Sequence, residues 1–434
     1  MKKRDGNQET KPDAGISTLP AMIAVEISVS GSSTSVETDI QPHIKRRITL
    51  LAFAAFTSAA SIRVCDTILP QLAKTFGTST GHAARVITAF AVAYGLFQLF
   101  YGPLGDRYNK YRLISFAAFA CTLGNIGAAA SLSLGWLIFF RALTGATAAA
   151  IIPLSMAWIG DSVPYERRQA TLAHFLSGPL LGLVSGQFLG GFFADTLGWK
   201  WCFIVLAGVY VIVGILLHLE LKRDKTIHTQ PASEFMASTT MSFPSQFLAV
   251  LRVKWARIVL MTVFMEGMIG FGTLAFVPSH LHTIFGISLT LAGALTATFG
   301  LGGLLYTIIA ARLVARIGER GLALGAAPLL GAAFLMYLLG PYWPWALPAS
   351  CIAGLGFYML HNTLQTNATQ MTPKSRGTAV SLFVALFFLG QSVGVSLAAL
   401  VVDRVGALWL FALASLLLPL VSIGFAYALR FRQE

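Results

Sequence analysis

The stretch Tyr101-Gly-Pro-Leu-Gly-Asp-Arg-Tyr-Asn-Lys-Tyr-Arg-Leu113 lies between two apolar runs, 83–104 and 111–132. A helix needs about 20 residues to cross a bilayer's hydrocarbon core, so each run reads as a membrane span. The stretch between them is then a tight polar turn at a membrane surface. Asp106, Arg107, Lys110 and Arg112 place four ionised side chains within seven residues, more than a simple connector needs.

The rest of the chain fits this reading. Its 434 residues have a mean hydropathy of +0.71 and are 11% charged, whereas soluble domains carry about 25% charged residues. The net charge of +13 invites a nucleic-acid partner, but its distribution excludes one. Most Lys and Arg fall in the two tails and in alternate loops. The exceptions are Lys74, Arg85, Lys200 and Arg404 near the opposite loops, and Arg63 and Arg141 inside spans. That is the positive-inside bias, with both termini cytoplasmic. Cys65, Cys121, Cys202 and Cys351 stand singly in apolar runs and read as small core hydrophobes rather than metal ligands or disulfides.

Twelve spans are expected, near 48–72, 83–104, 111–132, 135–160, 169–194, 200–220, 258–281, 289–312, 321–340, 345–370, 376–402 and 407–429. Residues 1–44 read as a disordered cytoplasmic tail, 45–220 as a first six-helix half, 221–256 as a basic cytoplasmic linker and 257–430 as a second half. A repeat supports the division: shifted by 209 residues, Phe76-Gly77-Thr78-Ser79 falls on Phe285-Gly286-Ile287-Ser288. Arg107 falls on Arg316, Gly145 on Gly354, Pro164 on Pro373 and Arg167 on Arg376 in the same register.

The opening stretch resembles the signature loop of the major facilitator superfamily, Gly-x-Leu-x-Asp-Arg-x-Gly-Arg. Gly102, Leu104, Asp106, Arg107 and Lys110 match, and Asn109 stands where the family has Gly. Gly182-Leu-Val-Ser-Gly186-Gln187-Phe-Leu-Gly190-Gly191 is similar to the family's antiporter motif, with Gln187 replacing its proline. Small residues at this spacing let helices approach closely. At the same 209-residue offset Gly182 falls on Gln391 and Gly186 on Val395, so no counterpart is expected in the second half. The resemblance implies an all-α membrane protein of two pseudo-symmetric six-helix halves, with a substrate site near the midplane between them. It also implies that the first, fourth and seventh spans line the central cavity.

Those three spans hold the intramembrane charges. A charge at a helix centre costs about 2.5–3.5 kcal/mol on insertion scales, so it tends to face a cavity or a partner. Arg63 and Asp66, three apart, share a helical face. They either neutralise each other for insertion, or Asp66 exchanges protons while the deeper Arg63 meets an anionic group of the cargo. Glu266 has no basic residue within a helical turn, which leaves it free to bind and release a proton or to hydrogen-bond a neighbouring helix. Arg141, followed four residues later by Gly145, is similar to a family pattern in which that arginine is tied to proton movement; the alternative is a structural bridge to a backbone carbonyl. On the tenth span His361 and Gln365 share one face and Asn362 the adjacent one, forming a polar strip for substrate. Phe264, Met268 and Phe271 on the seventh span, with Phe357 and Tyr358 on the tenth, offer an apolar wall.

Nothing in the sequence points to catalysis, a metal or a nucleotide-binding loop. The expected function is proton-coupled efflux of a small organic molecule by alternating access, in a monomer of bacterial inner-membrane type. Its partners are the bilayer, the cargo and protons, and the proton gradient stands in place of a cofactor. A proton symporter or uniporter for an organic anion is the alternative, and a non-transporting receptor a remote one. The one-sided Asp106, opposite Ala315 in the repeat, reads as a latch to the other half at the inner face, holding the outward-open state. Asp106→Ala is then expected to move the protein toward inward-open, read by cysteine labelling from each side of the membrane.

Overall fold

The computed structural model describes residues 41–223, 243–372 and 376–432, with the side chains of 106, 165–166 and 243–244 outside that description. The first 40 residues of the expected tail, most of the expected linker and Pro373 therefore lie outside it. Among the described residues all regular structure is helical. The spans are α1 (Pro42–Phe76), α2 (Thr80–Gly105), α3 (Lys110–Ala129), α4 (Leu134–Ser162), α5 (Arg167–Thr196) and α6 (Lys200–Arg223). A short amphipathic helix, Phe243–Arg252, precedes α7 (Lys254–Phe285). The segment Leu289–Leu339 runs for 51 residues, about 77 Å of helix against a core of about 30 Å. It is parted at Gly318, whose φ of 66° is non-helical, into α8 (289–317) and α9 (319–339). α10 (Ala346–Gln370), made more polar by His361, Asn362 and Gln365, α11 (Arg376–Val405) and α12 (Ala407–Arg432) complete the chain. This arrangement is compatible with twelve crossings. α1 begins at Pro42, inside the stretch read as tail.

The opening stretch is more helical than its polarity suggests. α2 continues as helix to Arg107, leaving Tyr108 and Asn109 as the turn. Asn109 explains its own departure from the family glycine. Its side chain caps α3 by accepting from the Arg112 N–H at 3.0 Å, as N-cap asparagines do. Lys110 pairs with Asp161 at 2.9 Å, and the Arg112 guanidinium lies 5.6 Å from the Phe116 ring.

The repeat is visible in backbone geometry. α1 ends on left-handed Gly77 (φ 60°) and α7 on left-handed Gly286 (φ 63°), and each is followed by a serine N-cap, Ser79 or Ser288. A Cβ on Gly145 would run into the Phe90 carbonyl, and one on Gly354 into the Phe299 carbonyl, both partners displaced by the same 209 residues. The antiporter-like glycines pack on α1: Gly182 faces the Phe56 carbonyl, Gly186 that of Ala60 and Gly190 that of Val64.

Contrary to the sequence expectation, this packing has a counterpart. Gly390 faces the Phe264 carbonyl and Gly394 the Met268 carbonyl, where α11 lies on α7. These contacts repeat at 208 residues rather than 209, so a single offset misses them by one position. Along α7 the offset rises from 208 at Phe264 to 209 at Gly286 across a π-helical turn, Gly267–Phe271, absent from α1, and it returns to 208 between Arg376 and Gly390.

Two helix pairs make the most extensive contacts between the sequence halves. Along α2 and α11, Gly95 abuts the Ala385 carbonyl, the Tyr94 and Phe388 rings lie 4.1 Å apart, and Gly102 approaches Ser381. Along α5 and α8, Gly191 abuts the Leu289 carbonyl and Gly293 the Gln187 carbonyl. Gly145→Ala and Gly354→Ala should each destabilise the folded protein by about 1–3 kcal/mol, as overpacking does, in melts of detergent-solubilised protein. Gly208→Ala, where a methyl would meet nothing within 4 Å, should be neutral or stabilising in the same assay.

Candidate functional site

The α1 charges form a pair: Arg63 Nη1 lies 2.9 Å from Asp66 Oδ2, and both side chains are buried. The same guanidinium reaches across the seam and sits 4.8 Å from the centroid of Phe271 on α7. An arginine over an aromatic face in a water-poor setting is an attractive contact. Arg63 also lines a small cavity between the sequence halves, together with Gln187 of α5, Phe271, Phe299 and Tyr358.

Glu266 finds its partner on another helix. His361 Nδ1 of α10 lies 2.8 Å from Glu266 Oε2, and Glu266 is 1% exposed. The other carboxylate oxygen is buried without a hydrogen-bond partner, beside a small apolar cavity bounded by Leu274, Phe334 and Phe357. His361 is stacked on Phe357 at 5.0 Å and bordered by Phe383 and Phe387 at 5.4 and 5.1 Å. Phe357 in turn meets Phe271 at 5.0 Å. One continuous run of contacts therefore links Asp66, Arg63, Phe271, Phe357, His361 and Glu266. The π turn stands between Glu266 and Phe271, and its extra residue resets which way Phe271 faces relative to the carboxylate.

The other expected residues are placed differently. Arg141 is fully buried in the N-terminal helices, donates to the Ser61 carbonyl at 2.9 Å and lies 4.2 Å from the Phe90 ring. It is not part of the run. Asn362 lies beside the Tyr306 hydroxyl, and Gln365 is half-buried one turn along. Phe264 and Met268 are half-buried, and it is their carbonyls that receive α11. Of the expected apolar wall, Phe271 and Tyr358 border the cavity at Arg63, joined there by Phe299. The Asp106 side chain lies outside the described residues, and Arg107 is exposed.

Sequence reading missed the contacts that close the face opposite the chain termini. Asp195, at the end of α5, accepts from the Leu289 and Thr290 N–H groups at 3.2 and 2.6 Å and from the Thr290 hydroxyl at 2.6 Å. Asp403, at the end of α11, accepts from the Gly81 N–H at 3.0 Å and the Ser79 hydroxyl at 2.6 Å. Each carboxylate caps the start of a helix in the other half of the sequence, where unpaired N–H groups and the helix dipole favour negative charge. The signal in the sequence is an acid 208 residues from an acid, each near the end of its span.

This geometry can be set beside known proteins. A family model, Major Facilitator Superfamily, matches residues 51–394 and 259–434. The chain belongs to the major facilitator superfamily. It is an integral membrane protein of a transporter family, not of an enzyme family. It is 27% identical over 352 residues to the uncharacterised MFS-type transporter YwfA of Bacillus subtilis, covering 80% of this chain and 83% of that one. It is 25% identical over 372 residues to the multi-drug resistance efflux pump PmrA of Streptococcus pneumoniae, covering 81% and 88%. In fold it is similar to a D-xylose–proton symporter, with a TM-score of 0.69 at 16% identity, covering 89% and 97%.

If the two carboxylate caps hold the distal face shut, removing both opens it. Thr67, buried beneath that face, is the reporter: its methyl would lie 3.0 Å from a Cβ on Gly293. In a background lacking the four native cysteines, Thr67→Cys should be labelled by an impermeant maleimide several-fold faster when Asp195→Ala and Asp403→Ala are combined. Each single change should give a smaller increase.

Proposed function

We propose that this chain is a proton-coupled exporter of small organic molecules that works by alternating access, with the terminus-bearing face cytoplasmic in a bacterial-type inner membrane. The observation that carries the reading is the unbroken run from Asp66 and Arg63 to His361 and Glu266 across the seam. Protonation of Glu266 removes its charge from His361. The imidazole then no longer needs its place on Phe357, and the Phe357–Phe271 contact carries the change to Arg63. Cargo bound beside Arg63, Gln187 and Tyr358 therefore feels the protonation state of Glu266, which is the coupling that an antiporter needs. The conformation described is closed by the two carboxylate caps on the face opposite the termini. The cycle draws on the proton gradient, needs no bound cofactor and runs in a monomer. The efflux name of PmrA supports export, and the proton-symporter title of the D-xylose protein supports proton coupling on this fold.

A second reading is transport of an organic anion. Arg63 and Arg141 stand near one buried carboxylate, Asp66, so the N-terminal side of the site holds one positive charge in excess. The two readings separate in proteoliposomes carrying an imposed proton gradient. Movement of ethidium but not fluorescein supports the exporter of cations and neutral molecules, and the reverse supports the anion carrier. Glu266→Gln should reduce gradient-driven movement at least about tenfold, a loss near 1.4 kcal/mol of coupling, while leaving gradient-independent exchange intact. Unchanged coupling in both Glu266→Gln and Asp66→Asn would overturn the proton assignment.

A further inference from the structure

A cavity of about 540 Å³ opens on the terminus-bearing face between α9, α10 and α12, away from the seam. It is bounded by Gly318, Glu319, Arg320, Gln370, Leu429 and Arg432. The internal repeat shows that this space is a departure and not a feature of the fold. At the positions 209 residues earlier, Tyr111 is 1% exposed, meets Trp158 in a tilted contact at 5.6 Å and lies under Arg47 at 5.7 Å, while Lys110 pairs with Asp161. Those aromatic rings fill the N-terminal copy. Their counterparts are Arg320 and Asn367, which replace two rings by polar groups and leave the volume open.

The polar groups are sorted into support and surplus. Asn367, fully buried, donates to Glu319 Oε2 at 2.9 Å and accepts from Arg432. Arg432 also donates to Gln370 Oε1 at 2.9 Å, lies 3.8 Å from Glu319 and sits 5.4 Å from the Trp255 ring. Glu319 and Arg432 thus neutralise each other inside a fixed network. Arg320 is exposed and has no hydrogen bond or ion pair among the described residues, so the cavity carries one uncommitted guanidinium. Ile317 and Leu429 give it an apolar edge.

We propose that this cavity binds a phosphate-bearing anionic headgroup, with Arg320 as the group that meets the phosphate. A guanidinium matches phosphate oxygens two at a time. Ligand cavities run to about 300–1,000 Å³, so a glycerophosphate-sized headgroup fits where a lone inorganic ion would rattle. Basic recesses between helix ends at a membrane surface meet phospholipid headgroups at high local concentration. The apolar edge of Ile317 and Leu429 suits the start of an acyl chain.

The test uses the full chain purified in detergent, with thermal melts read against dihexanoyl phosphatidylglycerol, dihexanoyl phosphatidylcholine and free glycerol phosphate. The expected result is saturable stabilisation by phosphatidylglycerol and not by phosphatidylcholine. Arg320→Gln should weaken it at least about fivefold with little change in the unliganded melting temperature, since that side chain is solvated. Arg320→Tyr, which restores the ring of the N-terminal copy, should abolish binding while keeping the fold. Arg223→Gln, another exposed arginine at the end of a span, should leave binding unchanged. Competition by glycerol phosphate would assign the site to a soluble phosphate ligand, and its failure to compete would assign it to lipid. Equal stabilisation by the two lipids, or undiminished binding in Arg320→Gln, would overturn the proposal.

Discussion

Lipid gives two apolar helices little reason to meet, because a leucine is as well solvated by acyl chains as by another leucine. What holds a helical membrane protein together is close approach, and here close approach is set by glycines facing carbonyls. Gly182, Gly186 and Gly190 bring α5 onto α1, and Gly390 and Gly394 bring α11 onto α7. Gly191 and Gly293 do the same across the α5–α8 seam. The antiporter-like motif is therefore two-sided: three of its glycines pack within one half of the sequence, and its last one packs against the other. Everything at the site hangs from these contacts, since α1 and α7 carry the charges and α5 and α11 fix where α1 and α7 lie.

The charges add a second constraint. A buried ion costs several kcal/mol unless paired or hydrogen-bonded. Each sequence half meets that cost with its own partner, Arg63 with Asp66 and Glu266 with His361. The aromatic rings between them join the two solutions, so neither pair can rearrange without disturbing the packing of Phe271 and Phe357. An unpartnered carboxylate oxygen on Glu266 marks where this balance is incomplete.

Much of this was legible in the sequence. Hydropathy placed the spans, and Arg63 and Asp66 three residues apart announced their own pairing. Charge placement also singled out Glu266. Its partner was not legible, because no spacing rule connects residues 266 and 361. His361 and Glu266 meet only through the packing of α10 beside α7. The apolar wall was legible in part: Phe271, Phe357 and Tyr358 do border Arg63 or His361, whereas Phe264 and Met268 give their carbonyls to α11. The second set of packing glycines was hidden from a fixed-offset comparison because they stand 208 residues from the first set, while the turn just before them stands at 209. Asp195 and Asp403 went unremarked because an acid near a loop is an ordinary feature. Only the structure shows that each caps a helix from the other half.

Those caps have a consequence for how such a protein can change over time. Three of the five donors are main-chain amides, which persist under side-chain drift except at Gly81, where a Cβ would run into the Asp403 carboxylate. The acceptors are two carboxylates, each at one position. The balance between the two faces of the transporter can then be retuned by substitution at Asp195 or Asp403 with the cargo site left alone. In the proposed cycle, affinity for cargo and readiness to open are then set at different places in the chain and can be inherited separately.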